Sequence, residues 1–299
     1  MTGIEGFIGG YLADLLSRHE IFGLSLLGSD DPNIFKGDIR DFARIQEILE
    51  EVSPDIIIHL ASITAVKDSF DIPLDVFEIN CMGTINIATA ALQACPNLQK
   101  FIFSGSVEEY GNQDTSPIKE DVQLNPNSPY GAAKVGAEKY LRMLHEVHGF
   151  PCVLLRQTNT YGRKGSKVFV MEHIITQMLE KKDPILMGFP DPIRDFMFID
   201  DLMDFYELAV EETVPFGESM NISTGEGIRI RALVDKIGGL LNYNGQVKYH
   251  TTSLRPVEID SLVGDNSKVK RLTSWRPKVD LDTGLKRTIE IWKMPNLKI

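Results

Sequence analysis

The first half of the chain alternates short apolar runs with amphipathic stretches. Ile21 to Leu27 predicts a strand. Asp41 to Glu51 predicts a helix, because Phe42, Ile45, Ile48 and Leu49 recur at helical spacing on one face. Asp55 to Leu60 is an unbroken apolar run, the pattern of a strand buried on both faces of a parallel sheet. A long helix follows from about Asp75 to Ala94, then a strand from Phe101 to Ser104, a helix from Tyr130 to Glu146 and a strand from Cys152 to Arg156. Such alternation predicts an α/β fold with a doubly wound parallel sheet.

The second half is more mixed. Met171 to Glu180, Asp200 to Glu211, Arg231 to Leu241 and Leu281 to Trp292 predict helices; Met220 to Ser223 and Val247 to His250 predict short strands. No internal repeat and no low-complexity linker divides the chain. The expected organisation is a first domain over residues 1–156 and a smaller mixed α/β lobe over 157–299. Segments of that lobe return to the first domain across an extensive shared interface.

Composition narrows the function. The 299 residues are 43% hydrophobic, enough for a sizeable core, and carry a net charge of −11. That balance disfavours nonspecific binding to nucleic acid or anionic membrane, while a local nest of amides can still hold a phosphate. Cys81, Cys95 and Cys152 are odd in number and lack paired spacing, so a reducing, cytoplasmic setting is expected. No apolar run approaches the roughly 18 residues of a bilayer span, and no cleavable signal peptide is visible. His145 and His148 have no third ligand near in sequence, and His59 lies in an apolar strand; no metal site is expected.

The chain opens Thr2-Gly3-Ile4-Glu5-Gly6-Phe7-Ile8-Gly9. Three glycines at this spacing allow a sharp turn, a close approach to a pyrophosphate and tight packing of the next helix, the Rossmann-like arrangement for a dinucleotide. Phe7 to Leu16 is the amphipathic helix whose N-terminus faces the phosphates. The strand that should precede this loop is largely missing from the sequence. A start at an internal methionine is the expected reason, since losing a central strand strips hydrogen-bond partners from both neighbours. The next strand ends on Ser25, where many dinucleotide sites carry an acid. With neither acid nor arginine there, NAD and NADP both stay open. Asp38, followed by Ile39, is placed to meet adenine or to cap a helix.

Tyr130 and Lys134 are four apart on a predicted helix and share a face. A phenol titrates near 10 and is a poor base at neutral pH; a neighbouring ammonium favours phenolate. Ser106 ends a strand 24 residues before Tyr130 and can hydrogen-bond the same substrate oxygen. With these residues come the glycine loop, His59-Leu60-Ala61, Asn80 to Thr84, Ser128-Pro129-Tyr130, Asn159 with Tyr161-Gly162, Arg194-Asp195-Phe196 and Leu254-Arg255-Pro256. In these motifs, over nearly its whole length, the chain resembles the extended short-chain dehydrogenase/reductase family, and within it the nucleotide-sugar epimerases, dehydratases and 4-keto reductases.

The resemblance implies an NAD- or NADP-dependent enzyme acting on a nucleotide-diphosphate sugar. It implies that Gly3, Gly6, Phe7, Ile8 and Gly9 hold the pyrophosphate. Asp38 and Ile39 then meet adenine, Leu60 and Ala61 line the cofactor, and Lys134 binds the nicotinamide ribose. Ser106 and Tyr130 hold the reacting oxygen at sugar C4, and Asn159, Arg194 and Arg255 reach the sugar nucleotide. Arg194 has an equal alternative in an ion pair with Asp195 or Asp200. Glu108 falls where dehydratases carry a glutamate base, while Val107 stands where many carry an acid or hydroxyl. The paired Glu108-Glu109 also resembles 4-keto-6-deoxy-mannose reductases. The readings are ordered 4,6-dehydratase, 4-keto reductase, 4-epimerase, with a non-catalytic NAD(P)-binding regulator as a separate class. A homodimer is expected, built on the helices at Asp75 to Ala94 and Tyr130 to Glu146, with Tyr140, Leu141, Leu144 and Val147 facing outward.

Overall fold

The computed structural model describes residues 1–163, 166–250 and 256–294. Its elements run α1 (Phe7–Leu15), β1 (Gly23–Ser25), β2 (Ile34–Lys36), α2 (Phe42–Val52) and β3 (Ile56–His59). A helix opens as α3 (Pro73–Val76), widens to i→i+5 bonding over Phe77–Gly83 and continues as α4 (Thr84–Ala94). Then come β4 (Lys100–Ser106), α5 (Pro129–His148), β5 (Cys152–Gln157), β6 (Asn159–Tyr161), α6 (Val170–Leu179), β7 (Ile185–Met187) and β8 (Ile193–Phe198). The remainder is α7 (Ile199–Glu211), β9 (Ser219–Ile222), β10 (Gly227–Arg229), α8 (Ile230–Leu241), β11 (Val247–Tyr249), β12 (Ser261–Leu262), α9 (Ser267–Leu272) and α10 (Leu281–Lys293).

The main sheet is parallel throughout, in the order β3-β4-β5-β9, with the parallel pair β1-β2 beyond β3. Thr2 bridges the two parts, pairing with Leu24 on one side and His59 on the other. Among the described residues, Met1 and Thr2 alone hold the place of a central strand. A cavity of about 60 Å³ lies beside them, lined by Phe22, Leu24, Phe35, Ile45 and Ile57. Successive residues of the inner strands feed two cores on opposite faces: Ile58, Ile102 and Val153 toward α1 and α7, Ile57, Phe101 and Phe103 toward α2, α4 and α5. That explains the unbroken apolar runs in these strands.

Caps set several helix boundaries. Asp41 accepts from the Arg44 amide at 3.1 Å and starts α2. Ser128 accepts from the Gly131 amide at 3.1 Å, with Pro129 in the first helical position, and starts α5. Gly149, at φ +67°, ends it.

Some expectations are corrected. The strand expected over Ile21 to Leu27 contracts to β1, because Leu26 and Leu27 are 62% and 84% exposed in a turn closed by the Ser25 hydroxyl. The long helix begins at Pro73. β6, β8, β10 and β12 were not expected. They are two to six residues long and mix polar with apolar residues, so no period of two stands out. Leu141 and Leu144 are buried within the subunit and cannot face a partner; Tyr140 is half-buried with its hydroxyl 2.6 Å from Thr89 Oγ1. Of the four residues expected outward on α5, Val147 is the exposed one, and Met143 joins it. Among the described residues no helix is long and apolar enough to cross a membrane.

Candidate active site

The glycine loop is shaped by contacts that leave no room for side chains. Gly3 sits at φ +67°, and a Cβ there would lie 2.8 Å from the Ala61 nitrogen. A Cβ on Gly9 would lie 2.3 Å from the Gly3 carbonyl oxygen, so α1 can start this close to the loop only with glycine there. Gly6 caps α1 without a capping side chain, which leaves the first-turn amides and the positive helix end, at Phe7 and Ile8, for an anion. These features fit a dinucleotide pyrophosphate.

A buried polar chain fixes the neighbouring loop. Thr2 Oγ1 accepts from the Leu60 and Ala61 amides at 3.2 and 3.1 Å and lies 2.7 Å from His59 Nδ1. His59 Nε2 lies 2.9 Å from Thr84 Oγ1, whose proton goes to the Asn80 carbonyl at 2.8 Å. Thr2 must therefore donate to Nδ1, and His59 carries its proton on Nε2. Burial first, then the charge of Lys134, pulls the His59 pKa down to about 3, so the ring stays neutral. Asn80 clamps both backbone groups of Ile63 at 2.8 Å. His59 is a structural residue here, as its apolar strand implied. Thr2, Asn80 and Thr84 had no expected role, although Asn80 and Thr84 stood in a noted motif.

Ser106, Glu108, Tyr130 and Lys134 come together where β4 ends against the start of α5. The Ser106 hydroxyl lies close enough to the Tyr130 phenol to lower its pKa, and accepts from the Glu108 amide at 3.2 Å. A single helical turn over Val107–Glu109 holds Glu108 buried, close enough for its charge to act on Tyr130. Val107 turns the other way, into an apolar cluster with Tyr110, Ile118 and Ile259. Lys134 Nζ donates to the Ser104 carbonyl at 2.7 Å and lies 5.9 Å from the centre of the Tyr130 ring. Burial lowers its pKa to about 8, against the pull of Glu109. Burial raises the Tyr130 pKa far above the usual phenol value; Ser106 opposes this, while Glu108 and Glu109 add to it. Lys134 alone therefore does not make a phenolate in this geometry.

Beneath this group lies a set of charges, Glu109 of the noted Glu pair among them, whose pairing the sequence did not predict. Arg156 donates to both oxygens of Glu138, at 2.6 and 2.9 Å, and its Nε lies 3.5 Å from Glu109 Oε2. Glu109 Oε1 accepts from the Ser106 amide at 2.8 Å. Arg156, Glu138 and Glu109 are 3%, 1% and 0% exposed. Burial and the Glu138 charge push the Glu109 pKa well up, whereas Arg156 holds Glu138 low despite its own burial. Arg156 thus favours the charged form of Glu138, while burial disfavours it on Glu109.

The remaining expected residues lie apart from this centre. The Asp38 carboxylate is held by the Arg40 side chain and amide, with contacts of 2.6 to 3.1 Å, as a turn aspartate, and the helix cap is Asp41. Ile39 is buried in the core. Asn159 donates to the Asp195 carbonyl at 3.2 Å. Arg194 pairs with Glu258, not with Asp195 or Asp200. Asp195 instead accepts from Thr224 and Gly225, and Asp200 pairs with Arg287. Arg255 lies outside the described residues.

Comparison with known proteins finds similarity over nearly the whole chain. The profile of the family described as GDP-mannose 4,6 dehydratase matches residues 1–288. UDP-glucose 4-epimerase of Mycolicibacterium smegmatis is 30% identical, over 98% of this chain and 97% of its own. The structure of Thermotoga maritima UDP-glucose 4-epimerase with UDP-glucose is similar at a TM-score of 0.88 and 27% identity, covering 97% and 96% of the two chains. That of the Thermus thermophilus UDP-glucose 4-epimerase with NAD is similar at 0.86 and 26% identity, covering 97% and 96%.

Proposed function

The chain belongs to the family described as GDP-mannose 4,6 dehydratase, as an NAD(P)-dependent nucleotide-sugar enzyme of the extended short-chain dehydrogenase/reductase type, and we propose that it converts a nucleotide-linked hexose to its 4-keto-6-deoxy form. The observation that carries this reading is Glu108, a carboxylate buried two residues after Ser106 and near enough to influence Tyr130. Residues 1–156 are read as the cofactor lobe and 157–299 as mainly the substrate lobe. Two buried cysteine thiols, Cys95 and Cys152, suit a cytoplasmic enzyme.

Bound over the glycine loop, NAD(P) supplies the hydride acceptor at sugar C4 and a positive charge beside Tyr130. Tyr130 takes the proton from the C4 hydroxyl, whose oxygen Ser106 orients. Lys134, anchored on the Ser104 carbonyl, presents its ammonium to the ribose side of the site. Oxidation at C4 acidifies C5–H, and Glu108 removes that proton. Val107 is held in the core and has no proton to give, so Glu108 would pass that proton to the C6 oxygen as water leaves; the hydride taken from C4 would then return to C6, and a solvent proton, delivered through Glu108, to C5. Asn159, Arg194 and Arg255 are assigned to the sugar-nucleotide side.

The test is incubation with GDP-mannose, dTDP-glucose, CDP-glucose and UDP-glucose, separately, in deuterated water with products followed by NMR. A 4-keto-6-deoxy product with deuterium at C5 and no net cofactor consumption is expected, and Glu108→Gln is expected to abolish the incorporation. Dehydration by that variant at the parent rate removes Glu108 as the base. The second reading, a 4-epimerase, is favoured by the similarity to UDP-glucose 4-epimerases and predicts an isomer without deuterium. A 4-keto reductase instead leaves all four substrates untouched and oxidises NAD(P)H when given the 4-keto-6-deoxy product. Dinucleotide binding with no turnover of either kind would mark a regulator.

We also read the protein as a homodimer. Leu74, Phe77 and Met82 on the first long helix, and Met143 and Val147 on α5, are exposed apolar residues on the two helices expected to meet a second copy. Light scattering is expected to give twice the chain mass, and Phe77→Glu with Val147→Glu to shift it toward the monomer. A monomer mass for the parent at high concentration rules the dimer out.

A further inference from the structure

We propose that Glu5, a residue of the glycine loop, reads the adenosine ribose in place of the acid missing from the end of β1, and thereby makes the protein select NAD over NADP. The inference rests on the reading that this loop holds a dinucleotide.

The Ser25 hydroxyl lies 2.6 Å from Glu5 Oε2. It also accepts from the amides of Leu27 and Gly28, both at 3.2 Å. A hydroxyl has one proton, and with two donors already pointing at its oxygen that proton goes to Glu5. The carboxylate is thus held at the C-terminal end of β1, where a dinucleotide fold places the acid that binds ribose hydroxyls. Ser25 is buried, and its bonds tie the Glu5 side chain to the turn that follows the strand. Glu5 itself is exposed, and no hydrogen bond engages its Oε1 among the described residues. Its position just before the α1 cap places the side chain at the positive end of that helix.

A ribose diol offers two O–H donors to such a carboxylate. The 2′-phosphate of NADP offers none when ionised and brings about two negative charges. Of the nearby cations, Arg40 is committed to Asp38 through 2.6 and 3.0 Å contacts and lies 3.6 Å from Glu78, and Lys36, opposite Ser25 in the β1–β2 register, is a point charge without the two-pronged geometry of a guanidinium. The loop therefore presents an acceptor to the ribose without a free guanidinium beside it.

The test is calorimetric titration of the full chain with NAD and with NADP, which needs no sugar substrate. NAD is expected to bind on the order of 100-fold tighter. Glu5→Gln removes the charge and keeps the shape, and is expected to narrow that ratio by about tenfold, chiefly by tightening NADP. Ser25→Ala frees the carboxylate and is expected to narrow it by a smaller factor while leaving the loop intact. Equal affinities in the parent, or an unchanged ratio in both variants, overturn the proposal. Failure of both dinucleotides to bind the parent overturns the loop reading beneath the proposal.

Discussion

Replacing Tyr130 by phenylalanine is expected to lower turnover by roughly three orders of magnitude, whichever of the three chemistries the enzyme performs. Each requires a proton to leave or reach the C4 oxygen, and the Tyr130 hydroxyl, beside Ser106, is the group proposed to carry it. The ring itself packs against Val76 and Ala133, contacts that phenylalanine retains. Dinucleotide binding and thermal stability are therefore expected to stay near the parent values, and their loss would point to a structural role instead. The pH dependence gives a second check. Burial lowers the Lys134 pKa to about 8, so its ammonium is present below that pH and lost as pH rises through it. Since that charge favours the phenolate, kcat/KM should fall above about 8 in the parent. Lys134→Arg keeps a permanent charge and is expected to move the alkaline limb upward at a lower overall rate. A parent profile flat through pH 9 excludes this role for Lys134.

The legible parts of this protein are those written in local sequence. The glycine loop, the four-residue spacing of Tyr130 and Lys134, and the strand running into Ser106 depend on neighbours along the chain, and the fold brings Ser106, Tyr130 and Lys134 together. What stayed hidden depends on pairing across distance. Glu5 and Ser25 are read separately as a loop residue and a strand end; only the fold brings them to 2.6 Å. Arg194 stands beside two aspartates in sequence, yet its partner Glu258 lies on a segment packed beside β8. The outward face of α5 was misassigned because this helix meets the sheet on one side and the first long helix on another. Leu141 and Leu144 fill the first contact, and apolar periodicity alone does not tell a subunit core from a partner.

The same argument singles out Arg156 as the position where one substitution is expected to cost the most stability. It joins β5 to α5 through two hydrogen bonds to Glu138 and reaches Glu109 below Ser106. Its Nη1 also donates to the Tyr110 hydroxyl and the Glu120 carbonyl, both at 3.1 Å. Arg156→Leu leaves Glu138 ionised and buried, with Arg142 at 3.5 Å as its remaining cation. Breaking one side of a buried pair costs about 3–5 kcal/mol, because the remaining charge has lost its partner and has no water to replace it. The urea midpoint is expected to fall by roughly 1–2 M. The double variant Arg156→Leu with Glu138→Leu removes the stranded charge and should recover part of the loss, giving a coupling between the two sites. Additive losses would show that Arg156 acts through Tyr110 and Glu120 instead. Glu138 lies one helical turn beyond Lys134 on α5, and Glu109 holds the Ser106 amide. Where the single variant is still folded, the pair thus also sets the spacing between Ser106 and the Tyr130–Lys134 face. Arg156→Lys, which keeps the charge but not the two-pronged geometry, is expected to lower kcat more than it raises KM for the dinucleotide, since the glycine loop lies on other elements.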